Sequence, residues 1–202
     1  MSAIIRESVE GLVNSTESFE KHQKQKEYYE YIKNHIANVN IVFERDIMPL
    51  MELSNMSSEI PDHDLKHAIE ECANHIKEHD ASKFGDEEFD GYREKYYPTS
   101  IEIANPDFQE LVSEKVEEAW IHHYSNNPHH PKYWLSKDST MSLDYIIEMI
   151  CDWMSFHVNE ENGWTKCREW YKSDDSWEER EDLGEVVCKI VDELLFNIIK
   201  LA

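Results

Sequence analysis

The sequence predicts an all-α protein. Apolar residues recur at three- and four-residue spacing through most of the chain, glycine and proline are sparse at five and six among 202 residues, and helix-start signals such as Pro61-Asp62 and Asn105-Pro106 punctuate the pattern. A chain of this length suits one domain with a substantial core. We expect a helical bundle divided into an N-terminal arm or short helix (1–25), a core (26–158) and a C-terminal helical extension packed on it (159–202).

Residues 1–24 mix apolar and charged side chains without strong periodicity. From Lys26 to about Met51, Tyr28, Ile32, Ile36, Val39, Val42 or Phe43, Ile47 and Leu50 make one stripe of an amphipathic helix, loosened at its end by Pro49, with His35 one turn from both Ile32 and Val39 and therefore facing inward. After a loop at 54–59, Pro61 opens a second helix whose inner stripe is Leu65, Ile69, Cys72, Ile76 and His79. Gly85 and the acidic run Asp86-Glu87-Glu88 restart the chain into a short helix carrying Phe89, Tyr92 and Tyr96 and ended by Pro98, expected as a flank over a site. The next helix, from Asp107 to Tyr124, places Phe108, Val112, Val116, Ala119 and His123 on one stripe and turns His122 to a more polar side. A loop after Pro128 presents His129 and His130. A helix from Ser142 to His157 then aligns Tyr145, Met149, Asp152 and Phe156, with Glu148 one turn before Asp152. A short helix around Cys167 to Lys172 and an acidic stretch (174–182) precede a C-terminal helix carrying Leu183, Val187, Ile190, Leu194 and Ile198.

A formal net charge of −23 gives a negative field that disfavours duplex nucleic acid as a partner. No run of about 18 apolar residues exists and the first ten residues carry Arg6, Glu7 and Glu10, so neither a membrane span nor a signal peptide is expected, and the protein is expected in the cytoplasm. The four cysteines lack any Cys-x-x-Cys pair and read as reduced thiols, three of them within apolar helical patterns.

The chemistry collects on the inward faces. His79-Asp80 joins two ligands for divalent transition metals at a helix end, where one ion can take both if the backbone breaks. His35 comes from one helix, His123 ends another, and Asp152 is a carboxylate among apolar neighbours, which must be paired, hydrogen-bonded or bound to a cation. His22, His63, His67 and His157 read as solvated.

In its order, His35, then His79-Asp80, then Asp152, the set resembles the HD-domain superfamily, over roughly residues 26–158. The resemblance implies an all-helical fold and a divalent metal (Mn, Co, Ni, Fe or Zn) held by His35, His79, Asp80 and Asp152. His79-Asp80-Ala81-Ser82-Lys83 looks like the His-Asp-x-x-Lys variant of HD-GYP phosphodiesterases and HD-type di-iron oxygenases, in which histidines between the His-Asp pair and the last Asp bind a second metal. His122, His123, His129 and His130 occupy that interval. The Gly-Tyr-Pro signature is absent, and Lys83 stands where HD-type 5′-deoxynucleotidases carry glutamate. The runs at 122–131 and 148–153 are most similar to a family of uncharacterised bacterial and phage proteins, which implies no substrate.

The implied activity is metal-dependent hydrolysis of a small phosphate ester such as a nucleotide. Asp80 would serve the metal-activated water and Lys83 would offset charge on the phosphoryl oxygens. His122 and Glu148 are expected to support the ligands, Glu148 either as a ligand itself or as a partner of one. The alternatives are a di-iron oxygenase, or a non-catalytic acidic protein-binding module with a structural metal. A rival motif, His75-Ile76-Lys77-Glu78-His79, matches the H-x-x-E-H of inverted zinc peptidases. A homo-oligomer is compatible with either enzyme reading.

Overall fold

The computed structural model describes the backbone of residues 3–201 and the side chains of residues 16–200 other than Glu179. Nine α-helices and shorter 3-10 and π turns make up the described residues, with no strand among them, so the fold is all-α as predicted. Contacts divide the chain into two compact units, residues 1–33 with 81–123, and residues 34–80 with 124–202.

Helix α1 runs from Ala3 to Val42 and contributes to both units, its first part to one and its last turns to the other. The stretch expected as an arm therefore continues the helix: no proline interrupts it, and the Lys24–Glu27 pair supports it one turn apart at 2.9 Å. Met1 and Ser2, and the side chains up to residue 15, lie outside the described residues. Pro49 has the predicted effect. Its missing N–H and its ring spoil the regular ladder, and the helix gives way to a π turn, Phe43–Ile47, and a 3-10 turn, Met48–Glu52.

In the first unit, a 3-10 turn (Ala81–Phe84) leads to α3 (Phe89–Tyr96), α4 (Ser100–Ala104) and α5 (Phe108–Asn126), the last three residues of α5 belonging to the other unit. Tyr28 of α1 packs on Phe89 and Tyr97, with ring centroids 5.1 and 5.8 Å away. Gly91 lets α3 approach α5 closely, because a Cβ there would lie 2.9 Å from the Lys115 carbonyl oxygen. Arg93, fully buried, donates to both carboxylate oxygens of Glu102 at 2.7 and 2.8 Å, and Glu102 completes a capping box with Thr99 at the start of α4. Of the stripe expected on α3, Tyr92 is buried and Tyr96 is exposed.

The second unit holds α2 (Asp62–His75), α6 (Pro131–Leu135), α7 (Leu143–Ser155), α8 (Gly163–Lys172) and α9 (Trp177–Glu193), which passes into a π turn at Leu194–Ile198. Its core joins Val39 and Val42 of α1 and Phe43 of the π turn to Leu65, Ile69 and Cys72 of α2, Ile146, Ile150 and Met154 of α7, and Val187, Val191 and Leu194 further along the chain. Helix α2 packs along α7, and this pairing positions the site. The acidic stretch at 174–182 is a 3-10 turn and the first turns of α9, which kinks at Gly184 (φ 71°, ψ 170°). All four cysteines are free, three of them buried.

Two sequence expectations need correction. Helix α2 does not carry His79 on its stripe: it ends at His75, and a 3-10 turn at Ile76–Glu78 precedes an extended His79. Phe156 is exposed, because α7 ends at Ser155 and the next residue leaves the helix's inward phase.

Candidate metal centre

The break after α2 brings two adjacent side chains to one place. On a continuous helix, His79 and Asp80 would point about 100° apart. Here His79 is extended (φ −45°, ψ 130°) and Asp80 takes a left-handed conformation (φ 57°), which Asp tolerates better than most residues. Both side chains are buried.

Facing them, α7 presents a polar ladder. Asp144, Glu148, Asp152 and Ser155 lie at four-, four- and three-residue steps, hence on one face, in a helix otherwise lined by Ile146, Ile147, Met149, Ile150 and Cys151 in the core. Each rung meets a histidine. Asp144 Oδ2 is hydrogen-bonded to His75 Nε2 at 3.1 Å, and Glu148 Oε1 accepts from His79 Nδ1 at 2.8 Å. Asp152 Oδ1 is 3.1 Å from His35 Nε2, and Ser155 Oγ is 3.3 Å from His35 Nδ1. The ladder is what sequence reading missed at Asp144 and Ser155. The signal was present in the sequence as carboxylates at i, i+4 and i+8 within an apolar helix.

The ring nitrogens and carboxylate oxygens converge. His35 Nε2 lies 3.3 Å from Asp80 Oδ2, His79 Nε2 lies 3.6 Å from that oxygen and 3.7 Å from Asp152 Oδ1, and His129 Nε2 lies 3.5 Å from Asp80 Oδ1. Donors bound at about 2.1 Å to one ion stand about 3.0 Å apart across an octahedral edge and about 3.4 Å across a tetrahedral one, so these separations suit a shared cation. His79 Nε2 adds a chemical argument: it is buried, makes no hydrogen bond and faces two carboxylates, and Asp152 Oδ1 also makes none. Buried polar atoms left without hydrogen bonds are costly, and a cation between them would satisfy both. His35, His79 and Asp80 form one group able to hold an ion; Asp80, His129 and His130 offer donor atoms within 4.8 Å of one another as a second. The residues present therefore fit a divalent metal.

The electrostatics agree with close charge packing. Burial alone would lower the His79 pKa, but Asp80, Asp152 and Glu148 push it up to about 10. His75, also opposed by burial, is raised to about 9 by Asp144 and Glu148. Burial would raise Asp152 and Glu148, yet the rings of His35 and His79 hold the first well below the usual carboxylate range, and those of His129, His75 and His79 do the same for the second.

The first unit carries a cluster of its own. Glu88, fully buried at the start of α3, lies 2.7 Å from His122 Nδ1 and 2.8 Å from His123 Nδ1, one oxygen to each ring, while Ser82 Oγ is 3.4 Å from His123 Nδ1. Burial raises the Glu88 pKa, and the bonds from His123, Ser82 and His122 outweigh it. The sequence reading takes Glu88 only as part of the acidic run that restarts the chain into a short helix, with no role in a site. The helical phase of a short helix does not tell which of three consecutive acids turns inward.

A family model describing DUF5662, a family of unknown function, matches residues 24–197. The chain belongs to DUF5662. No curated protein and no solved structure matches it. In this DUF5662 chain, His35, His79, Asp80, His129, His130 and Asp152 lie in one unit, the first three and Asp152 with their donor atoms turned to one another. His122, His123 and Lys83 lie in the other, Lys83 half-buried in the turn at Ala81–Phe84. Glu148 sits behind the rings of His79 and His129. His75 faces carboxylates with both nitrogens, Glu148 Oε2 at 2.8 Å and Asp144 Oδ2 at 3.1 Å, which is not the arrangement a peptidase zinc ligand needs. His63 and His67 are exposed as expected, and His157 pairs with Glu160. No helix among the described residues is long and apolar enough to cross a membrane.

Proposed function

We propose that this DUF5662 chain is a metal-dependent phosphohydrolase of the HD type, acting on a small phosphate ester such as a nucleotide. The observation that supports the reading best is the buried convergence of His35 Nε2, His79 Nε2, Asp80 and Asp152, in the chain order that the HD resemblance implies. These four would hold one divalent ion. Asp80, His129 and His130 would hold a second, with Asp80 shared, since its two oxygens face different rings. A mixed imidazole and carboxylate set without thiolate suits Mn, Fe, Co, Ni or Zn better than Mg or Ca.

A divalent ion held by these residues would supply a water of lowered pKa, from about 15.7 toward 7, and polarisation of a phosphoryl oxygen. The protein's part is to hold the donors buried and to manage protons and charge. Asp80, with two oxygens and a fixed backbone, orients the attacking water. For Lys83 the reading rests on the His-Asp-x-x-Lys resemblance alone, which would have it offset charge on the phosphoryl oxygens. A di-iron oxygenase would use the same donors, and an acidic protein-binding module would use the metal as a structural brace.

The deciding experiment is metal analysis of the purified protein, followed by hydrolysis of nucleotide and bis-phosphoester panels with Mn, Co or Ni. Wild type should hold at least one ion per chain, lost in His35→Ala and in Asp152→Ala, and Asp80→Ala should abolish turnover. Two irons after anaerobic purification, with no hydrolysis, would favour the oxygenase. Full occupancy with silence across both panels would favour the structural brace. Loss of metal in His75→Ala alone would return the peptidase motif.

A further inference from the structure

We infer that Glu148, braced from behind by His75 and Asp144, is the positioning residue of the metal centre: it fixes the rings of His79 and His129 without itself binding the ion. The inference rests on the metal-site reading above. A carboxylate has no proton to give, so a ring nitrogen that bonds to it must donate. His79 Nδ1 is 2.8 Å from Glu148 Oε1, and His129 Nδ1 is 3.2 Å from the same oxygen. Both rings must then keep a proton on Nδ1, which makes each Nε2 the nitrogen that can give up its proton and offer a lone pair to an ion. Those two atoms face Asp80, at 3.6 and 3.5 Å. One oxygen of one glutamate thus sets the tautomer and the direction of two donors.

Glu148 is itself held. Its second oxygen lies 2.8 Å from His75 Nδ1, and the far side of that ring is bonded to Asp144 Oδ2 at 3.1 Å. Glu148 is buried, whereas His75 and Asp144 are each about one-fifth to one-quarter exposed, at 24% and 19% of their side chains. The line Asp144, His75, Glu148, His79 therefore leads from the surface of this unit to a buried donor. The ring of Tyr145 stacks on His75 with centroids 4.2 Å apart and an interplanar angle of 20°, which keeps His75 from turning away. The alternative is Glu148 as a ligand, since His79, His129 and Glu148 also offer donor atoms within 4.8 Å of one another, and the cobalt spectrum decides between the two. Outer carboxylates that orient metal-binding histidines typically contribute 10- to 100-fold in affinity.

The test uses the full chain loaded with Co2+, whose visible absorption reports coordination, and measures affinity by chelator competition. Glu148→Gln keeps an acceptor oxygen and should weaken binding about 10-fold with the cobalt spectrum intact; Glu148→Ala should weaken it by about 100-fold. Asp144→Asn, at the outer end of the line, should weaken it by a smaller factor in the same direction. Three results would overturn the inference: affinity unchanged in both Glu148 variants, a changed coordination spectrum in Glu148→Gln, which would make Glu148 a ligand, or equal losses in Gln and Ala. If wild type binds no cobalt, the metal-site reading fails; if wild type binds and the variants bind equally well, only this inference does.

Discussion

Asp80 combines a conformational demand with a chemical one. Its left-handed backbone (φ 57°) and its two carboxylate oxygens both serve the same pocket, and asparagine meets the first demand but not the second. Asp80→Asn should therefore leave the circular dichroism of the metal-free protein close to wild type, lower its unfolding midpoint because the charge that stabilises protonated His79 is gone, and abolish measurable metal binding by equilibrium dialysis. The titrating groups add a pH signature. His79 and His75 are raised to about 10 and about 9, so the stability they contribute is complete below the ordinary histidine value near 6.5 and is lost as pH climbs through 9 and 10. Asp152, Glu148 and Asp144 are depressed, so their contribution is present above the ordinary carboxylate range and is lost on acidification. Metal-free protein should thus be most stable between about pH 5 and pH 6.5 and weaken towards pH 10, whereas metal binding, which displaces protons, should strengthen over the same interval. Urea midpoints measured across that range with chelator and with Mn2+ would show two curves that diverge as pH rises.

Helices of this chain are readable where an apolar stripe decides them, and less so where polar contacts do. The boundaries expected for the Asp152 helix and for the one ending near Tyr124 fall within two residues of α7 and α5, because burial alone sets those faces. The end of α2 was not legible: nothing in Ile76-Lys77-Glu78 breaks a helix by propensity, and the break is stabilised by what His79 and Asp80 reach afterwards. Asp144 and Ser155 went unread for the same reason, since a polar rung at a helix's buried edge looks like its solvent edge until its partner is known. Close helix approaches make a sharper prediction. At the first residue of α8, a Cβ on Gly163 would lie 2.5 Å from the His157 carbonyl oxygen and from Met154 Cε, and backbone cannot yield as a side-chain tip can. Gly163→Ala should cost about 1–3 kcal/mol in chemical denaturation. Gly184 is open to an added methyl but sits at φ 71°, ψ 170°, a region that is essentially glycine's own, so Gly184→Ala should cost a similar about 1–3 kcal/mol through strain alone.

Across the whole molecule, charge and connectivity set further limits. With a net charge of −23, association with duplex DNA should be undetectable by filter binding at about 0.15 M salt. Fold class was legible because it rests on a period, and His35, His79, Asp80, His129, His130 and Asp152 could be named as candidates from short motifs and inward faces; the division into two units was not legible, since it depends on contacts between distant segments. The unit that carries His35, His79, Asp80, His129 and Asp152 is assembled from residues 34–80 and 124–202, on either side of 81–123. During synthesis the ribosome therefore releases His35, His79 and Asp80 well before Glu148 and Asp152 exist, and for that interval the nascent chain displays part of a donor set with nothing to complete it. Were the site to take an ion, the full donor set would exist only once α7 has emerged and docked on α2, so any capture before that point would be by an incomplete set.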